Sequence, residues 1–90
     1  MRVSVLYFGV LKDLVGHARS EMDLAEGASV AELLEVHRGR AKGREPVWDS
    51  IAVAVNQEYA RAADVLKDGD EVALLPPVSG GIEGLERYAG

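Results

Sequence analysis

The sequence predicts an α+β roll in which one main helix covers one face of a mixed sheet of four to five strands. Short segments rich in β-branched and aromatic residues alternate with turn residues, which is typical of a small sheet. A single longer segment has apolar residues at helical spacing, and its one apolar stripe can cover only one sheet face. Ninety residues provide one hydrophobic core, so we expect one domain with short helical turns beside the main helix.

The first third of the chain predicts a wide hairpin. The first strand is predicted over residues 2–8 and the second over residues 18–24. Between them, residues 10–15 have apolar side chains at helical spacing and predict a short helix that Gly16 ends. Strand alternation places two apolar sets of the first strand on opposite faces. One set is Val3, Val5 and Tyr7, and the other contains Leu6 and Phe8.

The main helix is predicted to begin at Ser29. Ser29 and Glu32 have the spacing of a capping box, in which each side chain bonds the backbone N–H of the other residue. We expect Gly39 to end this helix and residues 39–46 to form a loop. The local basic run is assigned to solvated loop positions and consists of Arg38, Arg40, Lys42 and Arg44. The apolar stripe of the helix consists of Val30, Leu33, Leu34 and His37.

The second half of the chain predicts three strands separated by tight turns. Residues 50–55 are apolar on both faces and predict a strand that is central in the sheet or covered. Residues 56–57 favour a tight turn into a short return strand over residues 58–61, because asparagine tolerates positive φ. A turn at residues 67–70 precedes the last strand over residues 71–75. Since the first and last strands are both apolar, we expect them to pair in the centre of the sheet.

Composition and charge exclude several classes of function. The absence of cysteine excludes disulfides, thiolate metal sites and cysteine nucleophiles, and it favours a cytoplasmic location. A net charge of −5 argues against nucleic-acid binding and suits a partner with a basic groove. No apolar run suits a bilayer span and no signal peptide is evident, so we expect no membrane association. His17 is assigned to a turn and His37 to the helix surface, and neither is expected to bind a metal. Trp48 is expected at one end of the core, with its N–H at the rim.

The segment after the last strand has the composition of a thin, extended arm. Its two prolines lack the N–H that a sheet ladder needs, so the strand cannot pair further on that side. The run of small residues that follows closes in two glycines, and backbone without a Cβ can approach an enclosed site from any side. The strand end and arm consist of Leu75, Pro76, Pro77, Val78, Ser79, Gly80 and Gly81.

The most specific motif of the chain is Asp-Gly-Asp-Glu-Val at residues 68–72, which runs on into Pro-Pro-Val-Ser-Gly-Gly at residues 76–81. With it, the chain resembles the ubiquitin-like β-grasp sulfur carriers, and most closely the small subunits of molybdopterin synthase. Three earlier segments carry the same resemblance, at residues 7–16, 26–34 and 53–58. The resemblance implies a β-grasp domain over residues 1–81, followed by a C-terminal extension over residues 82–90.

The resemblance also implies a non-catalytic carrier whose catalytic partner is another subunit. In the family, an activating enzyme that resembles the ubiquitin activators uses ATP to adenylate the terminal glycine carboxylate, which then becomes a thiocarboxylate. The arm enters the large subunit, which uses this sulfur to build molybdopterin from precursor Z. Carried onto this sequence, Gly81 bears the sulfur and Gly80 is its companion. No permanently bound cofactor is implied.

Leu6 and Phe8 are candidates for a surface that docks a partner of the carrier. They face away from the apolar set that the helix covers, and Leu75 extends the same face. Because one helix covers one face only, we expect these side chains to dock the large subunit or the activating enzyme. The alternative is a second buried layer.

Residues 82–90 depart from the family pattern, in which the chain usually stops at the second glycine. While Ile82 is attached, Gly81 has no free carboxylate and cannot be adenylated. Three explanations are open: a precursor that a protease cuts after Gly81, a trace of fusion with the large subunit or of cloning, or a chain that has lost carrier function. Two alternative functions follow, namely a sulfur carrier for thiamin, cysteine or tungsten-cofactor synthesis, and a non-catalytic ubiquitin-like interaction module.

Overall fold

The computed structural model describes residues 1–40 and 48–76, which fold into a five-stranded mixed sheet with two helices. This is the predicted α+β roll: the short helix lies at the predicted residues, and each strand begins and ends within two residues of its predicted bounds. The elements in chain order are β1 (Arg2–Tyr7), α1 (Val10–Val15), β2 (Arg19–Asp23), α2 (Val30–Arg40), β3 (Ala52–Val55), β4 (Glu58–Tyr59) and β5 (Glu71–Leu75).

The strand order across the sheet is β2-β1-β5-β3-β4. β1 and β5 are parallel neighbours in the centre, which confirms the predicted pairing of the first and last long strands. The other three pairs are antiparallel, including the β1–β2 hairpin. The strand that leads into the arm is therefore held by a neighbour on each side.

The core lies between one face of the sheet and the inner side of α2. Val5 of β1 and Val72 of β5 are paired in register and fully buried, as is Leu33 of α2. Each such side chain contributes about 1.5–3 kcal/mol through burial. The buried cluster consists of Val3, Val5, Tyr7, Leu11, Met22, Val30, Leu33, Trp48, Val53, Leu66, Val72 and Leu74.

The turn between β3 and β4 has the conformation that its sequence predicts. Asn56 and Gln57 both have positive φ, 51° and 71°, as a two-residue hairpin turn of type I′ requires. The Asn56 side chain accepts a hydrogen bond from the Glu71 N–H at 3.0 Å and donates one to Asp70 Oδ1 at 2.9 Å. The same side chain therefore fixes the hairpin and the start of β5 relative to each other.

The prediction that Gly39 ends the main helix is wrong, because α2 continues to Arg40. A glycine inside a helix costs only about 1 kcal/mol relative to alanine, which tertiary contacts can offset. Arg38 forms one ion pair within the helix, with Glu35, and one with Asp49 outside it at 2.7 Å. Arg38 is therefore a half-buried helical residue and not a solvated loop cation. Residues 41–47, with most of the predicted basic loop, lie outside the described residues.

Two aromatic residues are also placed differently from their prediction. His37 is 4% exposed and belongs to the core, where its Nε2 lies 2.7 Å from the Tyr7 hydroxyl, so its assignment to the helix surface is wrong. Trp48 packs beside the His37 ring at 5.3 Å between centroids, as expected for a residue at one end of the core. Its Nε1 is buried and not at the rim, because the whole side chain is 3% exposed and packs into the core beside the histidine.

Candidate functional site

The face of the sheet opposite α2 carries an apolar patch at the end where β5 leads into the arm. Three adjacent strands contribute to it, because their residues that alternate with core residues are apolar at this end. The register places Leu6 beside Ala73, and Ala73 beside Ala54. Phe8 follows β1 directly and is 45% exposed. We call this surface the docking patch, and it consists of Leu6, Phe8, Ala52, Ala54, Ala73 and Leu75.

The opposite end of the same face is polar. Ser4 donates a hydrogen bond to Glu21 at 2.8 Å and accepts one from Arg19 at 3.2 Å. Two residues further along the strand, Arg2 bonds Asp23 at 3.0 Å, and this hydrogen bond holds the pKa of the Asp23 carboxyl below its ordinary range. Exposed ion pairs of this kind add little stability. Their effect is to bound the docking patch with the polar rim that protein interfaces have.

The base of the arm is continuous with the docking patch. The N–H of Phe8 donates to the carbonyl of Leu74 at 3.2 Å, so the contact between β1 and β5 extends to the end of both strands. Leu75 is the last residue of β5, and Pro76 follows it in a half-buried position. Because β5 has strands on both sides, the arm starts from a rigid base.

A buried polar network lies on the other face of the sheet, away from the docking patch. The Tyr7 hydroxyl is 2.8 Å from Ser20 Oγ and 2.7 Å from His37 Nε2. Because His37 Nδ1 bonds the Leu33 carbonyl at 2.9 Å, the neutral ring carries its proton there and accepts from Tyr7 at Nε2. Burial lowers the pKa of His37, and the positive charge of Arg40 acts in the same direction. A cavity of about 280 Å³ adjoins the network, whose polar groups satisfy one another, so we assign it a structural role.

The structure brings together the predicted site residues that it describes. Leu6, Phe8, Leu75 and Pro76 lie at one end of the sheet, although more than 60 positions separate Leu6 from Leu75 in the chain. Five predicted arm residues lie outside the described residues: Pro77, Val78, Ser79, Gly80 and Gly81. In residues 1–40 and 48–76, no helix has the length and apolar character needed to cross a membrane. Within the same ranges, no cluster of three or more His, Asp or Glu side chains could hold a metal ion.

Three alanines of the docking patch were missed by the sequence reasoning. Ala52, Ala54 and Ala73 are small residues in apolar strands, and their residue type does not distinguish them from core positions. Strand alternation away from Val53 and Leu74 was the available signal for their face. Only the register shows that they extend Leu6 and Leu75 into a continuous surface.

Comparison with known proteins identifies the family of this chain. The ThiS family matches residues 5–81, which is most of the chain. This chain belongs to the ThiS family. One relative of this chain is the molybdopterin synthase sulfur carrier subunit of Chlamydomonas reinhardtii. The two are 39% identical over 83 residues, which cover 90% of this chain and 100% of the relative.

Solved structures agree with the β-grasp fold expected of the ThiS family. SAMP1 from Haloferax volcanii superimposes with a TM-score of 0.76 at 29% identity, over 90% of this chain and 100% of that one. A complex of subunits 1 and 2 of the molybdopterin-converting factor from Helicobacter pylori contains a chain with a TM-score of 0.64 at 29% identity. That likeness also covers 90% of this chain and 100% of the other.

The ThiS family match includes the docking patch and the whole arm. It ends at Gly81, the residue to which the resemblance assigns the sulfur. Residues 82–90 lie beyond the match. The boundary of the family and the second glycine of the arm therefore coincide in this sequence.

Proposed function

We propose that this chain is a sulfur carrier in molybdenum cofactor synthesis, acting as the small, non-catalytic subunit of molybdopterin synthase. The observation that carries the proposal is the continuity of the docking patch, β5 and the arm, within a ThiS-family match that ends at Gly81. The patch binds the large subunit while the rigid central strand directs the arm into it. The name of the Chlamydomonas relative and the Helicobacter complex of two subunits support this pairing.

The proposed chemistry takes place at the carbonyl carbon of Gly81. Inside an activating adenylyltransferase, the Gly81 carboxylate attacks the α-phosphate of ATP, which releases pyrophosphate and leaves an acyl adenylate. A sulfide equivalent then displaces AMP and gives the thiocarboxylate. In the large subunit this sulfur passes to precursor Z, and water restores the carboxylate. Glycine at positions 80 and 81 suits both partners, because no Cβ has to fit in either enclosed site.

Residues 82–90 have to be removed before the first step. The Gly81–Ile82 peptide bond leaves no free carboxylate at Gly81. We propose that a cytoplasmic protease hydrolyses this bond, with water supplying the second oxygen of the carboxylate. The cleaved chain then ends as the family pattern requires.

The direct test is the intact mass of the protein after expression in its native host. We expect a species that ends at Gly81, together with one heavier by the difference between a sulfur and an oxygen atom. The matched control is a chain that is expressed with a stop codon after Gly81 and then incubated with the activating enzyme, ATP and a sulfide donor. Failure of this truncated chain to support molybdopterin formation by the large subunit would overturn the proposal.

A second candidate function is that of a ubiquitin-like modifier or interaction module. The likeness to SAMP1, which another solved structure describes as a small archaeal modifier protein, favours a modifier. The peptide bond between Gly81 and Ile82 favours a module without carrier chemistry, because a modifier also needs a free carboxylate at Gly81. A modifier gives adducts in which Gly81 is joined to lysines of other proteins. A module without carrier chemistry gives only the full-length mass and no activity in the synthase reaction. The same mass spectra therefore separate the candidates.

A further inference from the structure

A close contact between Gly9 and Pro76 determines where the arm leaves the sheet. Gly9 lies between β1 and α1 with φ 55° and ψ −133°, a conformation that residues with a Cβ rarely adopt. A Cβ placed on Gly9 would come within 2.9 Å of Pro76 Cγ and 3.7 Å of Pro76 Cδ. The proline ring therefore rests on the bare backbone of Gly9.

Both sides of this contact are held in place by hydrogen bonds. The N–H of Phe8 donates to the Leu74 carbonyl at 3.2 Å, which ties the residue before Gly9 to the end of β5. The Gly9 carbonyl accepts from the Lys12 N–H at 3.1 Å, at the start of α1. Neither Gly9 nor the end of β5 can move away without breaking these bonds, so an added Cβ would displace the Pro76 ring.

We propose that Gly9 is a positioning residue for sulfur transfer: its missing side chain seats the Pro76 ring and so sets the direction of the arm. The inference rests on the proposed carrier function. The ring fixes φ of Pro76, and Pro77 restricts the backbone before it, so a displaced ring redirects the chain that follows. The five residues that follow Pro76, up to Gly81, reach at most about 18 Å, and a tilt of about 20° at the base would move their far end by about 6 Å.

A displacement of several ångströms matters because the reacting atoms of a transfer step have to approach closely. A misplacement of about 1 Å can already lower a rate by about a hundredfold. The docking patch is formed by other residues, so the loss should appear in the transfer step and not in binding. Gly9 thereby links the interface, which selects the partner, to the arm, which delivers the sulfur.

Another glycine of the chain provides a matched control. Gly16 ends α1 with φ 95°, and a Cβ at that position meets nothing within 4 Å. Alanine at either glycine strains the backbone, but only at Gly9 does it collide with the arm. The comparison of Gly9→Ala with Gly16→Ala therefore distinguishes the displacement of the Pro76 ring from the general cost of placing alanine at positive φ.

The first experiment measures the position of the arm and does not depend on carrier activity. The chain has no cysteine, so Arg61→Cys and Ser79→Cys give two sites for spin labels in the full-length protein. We expect Gly9→Ala to shift the mean distance between the labels by about 5 Å, whereas Gly16→Ala leaves it unchanged. Once Pro76→Ala has removed the ring, adding Gly9→Ala should have no further effect. Equal distance distributions for Gly9→Ala and Gly16→Ala would overturn the proposal.

The second experiment measures transfer by chains that end at Gly81 and carry the thiocarboxylate. With the large subunit, we expect Gly9→Ala to lower kcat about tenfold or more at an unchanged KM, and Gly16→Ala to match the parent chain. Circular dichroism establishes that each variant is folded. An unchanged kcat for Gly9→Ala contradicts the positioning role. If the parent chain itself transfers no sulfur, that result counts against the carrier function. The distance measurement then still tests whether Gly9 positions the Pro76 ring.

Discussion

At the residue scale, Phe8 is a large apolar side chain that the fold leaves nearly half exposed. Its exposure follows from strand alternation, because Tyr7 takes the buried position and the next residue faces away from the helix. Exposed aromatic residues are frequent anchors of protein interfaces. We therefore expect Phe8 to contribute to binding more than to stability.

We expect Phe8→Asp to weaken binding to the large subunit by about tenfold or more while the fold remains intact, because the charge has to be desolvated in the interface. Calorimetry measures the affinity, and circular dichroism checks the fold. The matched control is Val65→Asp, at an apolar residue that is 59% exposed outside the docking patch. Unfolding of Phe8→Asp, or equal affinity losses for the two variants, would contradict the assignment.

His37 gives a prediction about pH and stability. Burial lowers its pKa below the ordinary value of about 6.5, so the unfolded chain binds this proton at a higher pH than the folded chain does. Unfolding then takes up a proton in this interval. The stability that the buried neutral His37 contributes is fully present above about pH 6.5. It is lost as the pH falls through the pKa of His37 in the folded chain. Tyr7 and Trp48 face the ring, and Arg40 is the charged group that acts on it.

Urea denaturation between about pH 8 and pH 5 measures this effect. The free energy of unfolding of the parent chain should decrease as the pH is lowered. This decrease should be smaller in His37→Phe, which keeps an aromatic ring in the core. The prediction fails when His37→Phe and the parent chain lose stability equally over this range.

At the scale of elements, β5 separates stability from binding by its two faces. Leu74 is fully buried against the core, whereas its neighbour Leu75 lies in the docking patch. The strand is central, so both of its edges are paired, one with β1 and the other with β3. Substitutions at adjacent positions should therefore have different consequences.

We expect Leu74→Ala to lower the free energy of unfolding by about 2–5 kcal/mol, through lost burial and the cavity that remains. Leu75→Ala should cost much less stability and should weaken binding to the large subunit. Chemical denaturation and calorimetry on the two variants measure both effects. Equal losses of stability at the two positions would mean that the outer face is also buried in the isolated chain.

At the scale of the whole molecule, the net charge of −5 acts on the rate of association. We expect association with a large subunit that has a basic groove to slow by about tenfold between low and high salt, because steering depends on unscreened charge. Dissociation should change less, since the docking patch is apolar. Stopped-flow measurements at several salt concentrations test this, and an association rate that is independent of salt would contradict it.

Local patterns predicted most of the elements correctly, and the errors have physical causes. The hairpin turn at Asn56 and Gln57 follows from preferences of the residues themselves. The end of α2 does not, because a glycine costs a helix only about 1 kcal/mol and so need not end it. His37 was assigned to the helix surface because its partner Tyr7 lies thirty positions earlier in the chain and no local pattern reveals the contact.

The sequence by itself determined the order of the elements, the two faces of β1, the central pairing with β5, and the arm with its two glycines. These features depend on periodicity, on turn residues and on a motif that resembles that of one family, all of which can be read along the chain. The tertiary structure alone decided the register that joins the alanines to Leu6 and Phe8, and the contact of Gly9 with Pro76. Contacts of this kind join residues far apart in the chain, so they are set by how the strands pack and not by any local pattern.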